Sequence, residues 1–467
     1  MYERRGKMYR TRQIRIKKGH RMYRYCRDIC AASAKLYNRG NYLIRQYATA
    51  LDRMERGEEL TENQKEAYSL VMEITEGTKY EPKSRWLTYG QLDYVLKSSG
   101  DSAYRSLPAQ ANQQILRRIM RDYKSFFEAM KAYSMNPERF TGRPGMPRYR
   151  KKGSLRTALL TNQICSIKEG RCLKFPGTRD RVNIGRTEGE ARLKEVRIKP
   201  HTDSFVLDVV LETAEPVKRD NPLCGMEKEE LIRHLAEQDS SIYRLASIDP
   251  GVDNFCAVTN NFGERPFLVK GGPIKSANRY YNKRLAQIRS EAKRCNDTYR
   301  TKRTDRLHDR RNRIIKDMMH KISRRITDWA EENRVDLVVM GHNIYQKQSI
   351  ELGHVNNQNI VQIPFQVFAG MLRYKLEEKG IALLDTEEAY TSKADFLAKD
   401  EMPEYHRGDS IPKMSGKRIQ RGLYRHWNGW ISNADINGAA NILRKVLPNV
   451  KEWDRGVVDT PYAIRVA

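Results

Sequence analysis

The sequence predicts a mixed α/β protein in two parts. A C-terminal half alternates short buried strands with amphipathic helices. It follows an N-terminal half in which a small β-barrel is interrupted by a helical insertion. Three observations carry this reading. Apolar, β-prone runs recur after residue 240, at Leu245–Ile248, Phe255–Thr259, Val335–Met340 and Ile381–Leu384. Helical periodicity dominates residues 22–130. The composition then shifts at Arg143, where Pro144 and Pro147 break helix and short strands begin.

The elements follow in order. Thr11–Lys17 alternates Ile14 and Ile16 with polar residues and reads as a first strand. Residues 22–56 read as long helices, with Tyr25, Ile29, Leu36 and Tyr37 near helical spacing, and Glu55–Glu66 as an acidic loop and helix start. Leu107–Met130 carries Ile115, Leu116, Ile119, Tyr123, Phe126 and Phe127 on one face, the pattern of core packing, with Gln110, Gln113, Arg117 and Lys124 facing outward. Short strands follow at Ser166–Ile167, Cys172–Phe175, Glu195–Lys199 and Ser204–Glu212, the last two flanking a turn at Pro200–Asp203. With Thr11–Lys17 these strands fit the small barrel. A charged linker with a helix at Glu227–Glu237 precedes the second half. That half opens on a hairpin, continues into a very basic helical pair over Ser276–Arg325, and later carries a helix at Phe365–Lys379. A basic loop at Lys413–Tyr424 and a closing helix at Ala434–Val446 complete it. The domain reading is therefore 1–20 with 131–240, 21–130, and 241–467.

Composition narrows the function. The chain has 467 residues and a formal net charge of +29, an excess that points to a polyanionic partner. No apolar run is long enough to span a bilayer, and basic Met1–Arg12 lacks the apolar core of a secretory signal, so a cytoplasmic protein is expected. Seven cysteines include no C-x-x-C pair, which fits a reducing compartment; Cys26 and Cys30, four apart, read as small apolar helix residues.

Chemistry concentrates in two acidic settings. Ser247-Ile248-Asp249-Pro250-Gly251 puts Asp249 at the exit of a buried strand, before a turn. Ala434-Asp435-Ile436-Asn437-Gly438-Ala439-Ala440 puts Asp435 at the start of a helix whose small residues permit close packing. Carboxylates from distant segments, gathered at one end of a sheet, are what divalent-metal phosphodiester chemistry requires.

These segments resemble the RuvC nuclease domain of the TnpB family of transposon-encoded RNA-guided nucleases and of the miniature type V CRISPR effectors. Lys316-Asp317-Met318-Met319-His320-Lys321-Ile322-Ser323 is similar to that family's RKDFxHKxS helix, and Gly142–Arg150 to its GxPxxPRFK segment. Gln362–Phe365 and Tyr390–Lys393 stand where the family has comparable strings. The resemblance implies an RNase H-like nuclease domain, a wedge barrel and a helical recognition lobe. It further implies a guide RNA and double-stranded target DNA as partners, and two Mg²⁺ (or Mn²⁺) ions held by Asp, Glu and Asp. Asp249 and Asp435 match the first and last of these acids. The implied nucleic-acid contacts are Arg143, Arg148, Arg150 and Lys151, then Arg303, Arg306, Arg310, Arg311, Arg313 and Lys321, then Lys417, Arg418 and Arg421.

The sequence departs from the family twice. Gly341-His342-Asn343 stands where the middle glutamate is expected. The expectation here is that the acid has moved to the exit of the next strand, at Glu388 with Glu387 as the alternate; adjacent strand residues face opposite ways, so only one lines the site. The family's zinc ribbon is also absent: residues 394–430 hold no paired cysteines and only His406 and His426, so no zinc is expected. An active guided nuclease is therefore weighed against a guided binder with a defective site. A resolvase or transposase working without a guide has no use for so large a basic N-terminal half.

Overall fold

The computed structural model describes residues 7–187, 191–237, 242–342, 362–403, 412–447 and 455–466. Asn343 and His406 lie outside them. The chain forms two compact units, Met1–Glu215 and Pro216–Ala467. No helix among the described residues is long and apolar enough to cross a membrane.

In the first unit, β1 (Lys7–Lys17) pairs antiparallel along its whole length with β7 (Ser204–Ala214). Strands β2 (Ala158–Thr161) and β6 (Arg192–Pro200) complete a sheet of order β1-β7-β6-β2. The β6–β7 turn closes where His201 N–H donates to the Ser204 carbonyl at 2.8 Å. Strands β3 (Ser166–Lys168), β4 (Cys172–Lys174) and β5 (Arg181–Asn183) form a second antiparallel sheet. The strands expected to make a barrel are thus laid out as these two sheets.

The helical insertion differs from expectation in one respect: residues 23–55 form a single helix, α1 (Tyr23–Glu55). Its buried face stays in phase from Cys26 through Tyr47. Mid-helix Gly40 is retained because a Cβ there would lie 2.7 Å from Ile119 Cδ1, so the glycine sets the closeness of a neighbouring helix. Cys26 and Cys30 are both buried, and loss of water pushes each thiol up to about 12, leaving them inert packing residues. Helices α2 (Glu62–Thr75) and α3 (Tyr89–Ser98) each begin with a capping box, Thr61 with Gln64 and Thr88 with Gln91. After the one-turn α4 (Ser102–Arg105), α5 (Ala109–Met135) buries Ile115, Leu116, Ile119 and Tyr123. Phe127, expected on that buried face, is instead 38% exposed, and Phe126 is only partly buried.

The second unit begins earlier than expected. Helix α6 (Lys228–Glu237) belongs to it, because Leu223, Leu231 and Leu235 bury against Leu245, Leu337 and Leu384. This corrects the assignment of residues 216–240 to the barrel domain. A six-stranded sheet follows, with β8 (Leu245–Pro250), β9 (Asn254–Asn260), β10 (Phe267–Lys270), β11 (Leu337–His342), β12 (Ala382–Glu387) and β16 (Tyr462–Ile464) in the order β12-β11-β8-β9-β10-β16. β9 runs antiparallel to β8 and β10, whereas β11 is parallel to β8 and β12. A three-strand meander extended by parallel strands beyond β8 is the topology expected of an RNase H-like sheet; here β16 also adds parallel to β10 at the opposite edge. β12 lies at the sheet's edge, so Ala382 and Leu383 are only partly covered, although an apolar run had read as covered on both faces.

Helices α7 (Gly272–Asn296) and α8 (Lys302–Glu332) form the expected antiparallel pair: Arg303 meets Glu291 at 2.9 Å, and Arg311 meets Asn278 at 2.8 Å. Helix α9 (Phe365–Glu377) packs with α8 on one face of the sheet, and α10 (Ala434–Val446) covers the other.

Half of the stretch 413–424, expected as a loop, belongs to an antiparallel sheet of β13 (Lys417–Gln420), β14 (Leu423–Arg425) and β15 (Ile431–Asn433). A buried polar core anchors it. Asp395 and His426 are both wholly buried; the Asp395 carboxylate lies 2.5 Å from His426 Nδ1 and accepts from the Trp427 N–H at 2.7 Å and the Leu397 N–H at 2.9 Å. His426 Nε2 is 2.8 Å from Ser432 Oγ. Burial raises the Asp395 carboxyl, but these partners outweigh it and hold the group below its ordinary range. A depressed folded pKa stabilises the fold above the unfolded value, and that stabilisation is lost as pH falls through the folded value. This small sheet therefore holds at neutral pH and loosens only in acid below the ordinary carboxylate range. Asp395→Ala is expected to cost about 3–5 kcal/mol, the scale of stranding a buried partner. A fall in melting temperature of the variant, with early proteolysis within residues 391–433, checks this. The purified chain is expected to hold no stoichiometric zinc; elemental analysis decides that point.

Candidate active site

The parallel strands β8, β11 and β12 end at one edge of the sheet, where α/β proteins place their chemistry. Asp249 is the last residue but one of β8. Its neighbours follow from register. Met340 is paired with Ile248 and with Asp385, so the next row brings together Asp249, Gly341 and Thr386. Side chains in one row share a face, and Glu388, two past Thr386, falls on that face as well. Glu387 falls on the other; it is exposed and lies 3.9 Å from Lys445.

Two glycines clear space for the acids. A Cβ on Gly341 would sit 2.8 Å from both Cγ and Oε1 of Glu388, and 2.6 Å from Ile442 Cδ1. A Cβ on Gly438 would sit 2.7 Å from Asp249 Oδ2. Helix α10 is pinned to this face by Ser247 Oγ, which donates to the Ala439 carbonyl at 2.7 Å. At its N-terminus, the Asn433 side chain accepts from the N–H groups of Asp435 and Ile436, fixing Asp435 in the first turn. Further along, Asn437 Nδ2 donates to the Ala394 carbonyl, and Asn441 Nδ2 to those of Thr391 and Ala394. These asparagines, not singled out from sequence, hold the turn that follows Glu388 against the helix that carries Asp435.

Electrostatics agree with this convergence. Burial, then Glu388 and then Asp435, hold the Asp249 carboxyl well above the usual range, with Arg418 acting the other way. Burial pushes Glu388 up to about 7 against the pull of Lys445. Asp435 accepts from Asn254 Nδ2 at 2.6 Å and meets Arg418 Nη2 at 3.3 Å. Lys270 Nζ donates to Asn254 Oδ1 at 2.9 Å, extending the polar chain.

A divalent-ion site finds its donor chemistry here: carboxylate oxygens crowded enough to resist ionisation, facing glycines that leave them room. Among the described residues no three His, Cys, Asp or Glu side chains gather closely enough to hold one ion.

The expected nucleic-acid contacts divide. In the first unit, Arg143, Arg148, Arg150 and Lys151 are exposed, and Asn38 bonds both backbone groups of Arg150, at 2.7 and 2.9 Å. In the second, Arg303, Arg306, Arg310, Arg313 and Lys321 are exposed along α8, although Arg303 and Lys321 pair with Glu291 and Asp317. Arg311 is a correction. It turns inward to Asn278 Oδ1 and the Gln362 carbonyl, and its loss of water lowers its pKa, so it braces the helical pair rather than facing a phosphate. Lys417 is exposed on β13, Arg418 reaches Asp435, and Arg421 pairs with Asp253. Trp427, 63% exposed beside the Asn428–Gly429 turn, was not anticipated.

A family model described as a probable transposase, OrfB_IS605, matches residues 224–346. No curated protein matches the chain. Among solved structures, a Cas12f1–sgRNA–target DNA complex is similar over 90% of this chain and 82% of that one, at 13% identity and a TM-score of 0.45. C2c1 of Alicyclobacillus acidoterrestris with single-guide RNA is similar over 91% and 70%, at 10% identity and 0.35. The mini RNA-guided endonuclease Cas_phi3 is similar over 95% and 93%, at 10% identity and 0.36.

Proposed function

We propose that this chain, whose residues 224–346 match the OrfB_IS605 transposase family, is an RNA-guided DNA endonuclease with Asp249, Glu388 and Asp435 as its metal-holding acids. The observation that carries the reading is the convergence of three carboxylates from β8, the exit of β12 and the start of α10 on one edge of an RNase H-like sheet, with glycines behind two of them. Mg²⁺ or Mn²⁺, when bound, supplies Lewis-acid stabilisation of the charge that develops on the phosphate. The chain's own residues do the rest. Asp249 and Asp435 fix the oxygen donors on rigid elements. Glu388 enters the space left by Gly341. Arg418 stands beside Asp435 to meet a phosphate's charge. The +29 excess supplies sequence-independent grip on guide and target.

A guided DNA-binding regulator with a defective nuclease is the second reading. It is favoured by the engagement of Asp435 with Arg418 and Asn254, and by the lack of a ready three-ligand group among the described residues. The test is to sequence RNA that copurifies with the chain, then offer a plasmid bearing the matching target with Mg²⁺. Cutting dependent on both RNA and Mg²⁺ supports the nuclease; binding without cutting at any Mg²⁺ concentration moves the function to the regulator; no bound RNA overturns both. Affinity is expected to fall with salt, with a log–log slope of roughly −0.9 per duplex phosphate neutralised. A flat profile would mean that the charge is an ordinary solvated surface.

A further inference from the structure

Helix α5 leaves one aromatic side chain outside the core it helps to build. Phe127 is 38% exposed, and it stands edge-on to Trp86, with ring centroids 5.0 Å apart. The two border a cavity of about 330 Å³, at the small end of the roughly 300–1,000 Å³ range of ligand pockets. Buried Ile44, Leu87 and Tyr123 line it with partly buried Met120. The Tyr123 hydroxyl is already committed, donating to Asn41 Oδ1 at 2.7 Å, so the pocket offers ring faces and aliphatic carbon rather than polar groups. Among the lining residues, charge enters through Lys124 and Glu128, both exposed and 3.9 Å apart.

The surroundings select the guest. Arg117, Arg121, Lys124 and Lys131 are exposed along α5, on turns that flank the cavity. Close to Tyr123, the Arg45 guanidinium lies 5.0 Å from the ring centroid of Tyr149, itself 42% exposed. Cations beside an open aromatic pocket fit a flat π-face carried on a phosphate chain better than a lipid tail or an apolar peptide. We propose that this pocket takes one unpaired nucleobase, stacked on Phe127 and edge-on to Trp86, from a nucleic-acid strand whose phosphates meet the basic residues of α5. Glu128 is placed to accept from an exocyclic amine on the base edge, and Lys124 to meet the adjoining phosphate. The inference rests on the reading of the chain as a nucleic-acid binder, but not on its cutting anything.

The experiment uses the full-length chain in EDTA, so that cleavage plays no part. The probes are a short single-stranded RNA with one internal 2-aminopurine and the DNA of the same sequence; the two arms tell which strand supplies the base. Binding is expected to quench 2-aminopurine emission in one arm. Phe127→Ala should restore emission and weaken binding about five- to a hundredfold, the scale of one stacked base. Phe127→Trp should keep both quench and affinity. Because Phe127 is partly exposed, its alanine variant is expected to melt with the wild type, which separates lost stacking from lost fold. Lys124→Ala should reduce the salt slope without restoring emission. Unchanged emission and affinity for Phe127→Ala in both arms would overturn the proposal, whatever the outcome of a cleavage assay. So would a concentration-dependent dimer that Phe127→Ala disrupts without touching either probe. Loss of all nucleic-acid binding by the wild type would remove this proposal together with the guided reading, whereas quenching without any cutting activity leaves it standing.

Discussion

Asp249→Asn is expected to abolish target cleavage while leaving guide and target affinity within a few-fold of wild type. Asp435→Asn is expected to do the same. The fall in rate should be at least about 10²–10³-fold, the scale of losing one preorganised charge-stabilising group. The two variants separate in stability. Asp249 is held well above the ordinary carboxylate range by burial and by its two acidic neighbours. A raised folded pKa means that the folded chain binds more protons than the unfolded one, so this carboxylate destabilises the fold as pH rises above its ordinary value. Neutral asparagine removes that burden. Asp249→Asn should therefore melt at or above the wild-type temperature at neutral pH. Asp435 instead has Arg418 and Asn254 as partners, so Asp435→Asn strands a guanidinium and gains nothing comparable. Cleavage assays paired with thermal melts check both halves. Retained cutting by Asp249→Asn would remove the active site, and a large loss of stability would show that the residue serves the fold instead.

Glu388→Gln and Glu387→Gln should differ sharply although they are neighbours. Glu388 shares the face of Asp249 and occupies space that a Cβ on Gly341 would take, whereas Glu387 points the other way and sits exposed near Lys445. Glu388→Gln should lose cutting by at least about 10²-fold with target binding kept, and Glu387→Gln should remain within a few-fold of wild type. Gly341→Ala gives an independent reading of the same geometry. Its methyl would meet Glu388 Cγ and Oε1 at 2.8 Å and Ile442 Cδ1 at 2.6 Å, so Glu388 must swing aside and cutting should fall even though no acid has been removed. Because protons compete with metal for these oxygens, the Mg²⁺ needed for half-maximal cutting should rise as pH falls below about 7, where Glu388 takes up its proton. Normal cutting by Glu388→Gln would end the relocation idea.

Much of this was legible in the sequence because local chemistry dictates it. Asp-Pro-Gly after an apolar run could only be a strand exit into a turn. The small residues after Asp435 foretold a helix lying close on the sheet, and Gly438 against Asp249 Oδ2 is that closeness. The alternation of side chains required that only one of Glu387 and Glu388 face Asp249, but which one depends on pairing register, a long-range property that no local pattern encodes. Arg311 failed for a similar reason. Nothing in a run of arginines marks the one that a distant carbonyl, that of Gln362, draws inward. The small sheet β13–β15 was read as a loop because its anchor is a buried Asp395–His426 pair, and a lone aspartate and histidine thirty-one positions apart carry no recognisable spacing. Residues 216–237 looked like linker because they are charged, yet three leucines at Leu223, Leu231 and Leu235 were enough to dock them.

The asparagines of α10 have a mechanical consequence. Asn437 and Asn441 fasten residues 391–394 to the same helix that starts at Asp435, and that segment begins three residues beyond Glu388. Asp435 therefore rides on the helix, whereas Glu388 lies between two anchors, the last rung of β12 on β11 and the turn fastened to α10. The seating of α10 on β8, with Ser247 and Gly438 at the contact, then sets how Asp435 stands toward Asp249. A displacement of α10 would carry Asp435 and pull on the 391–394 turn, while the sheet holds Glu388 from the other side.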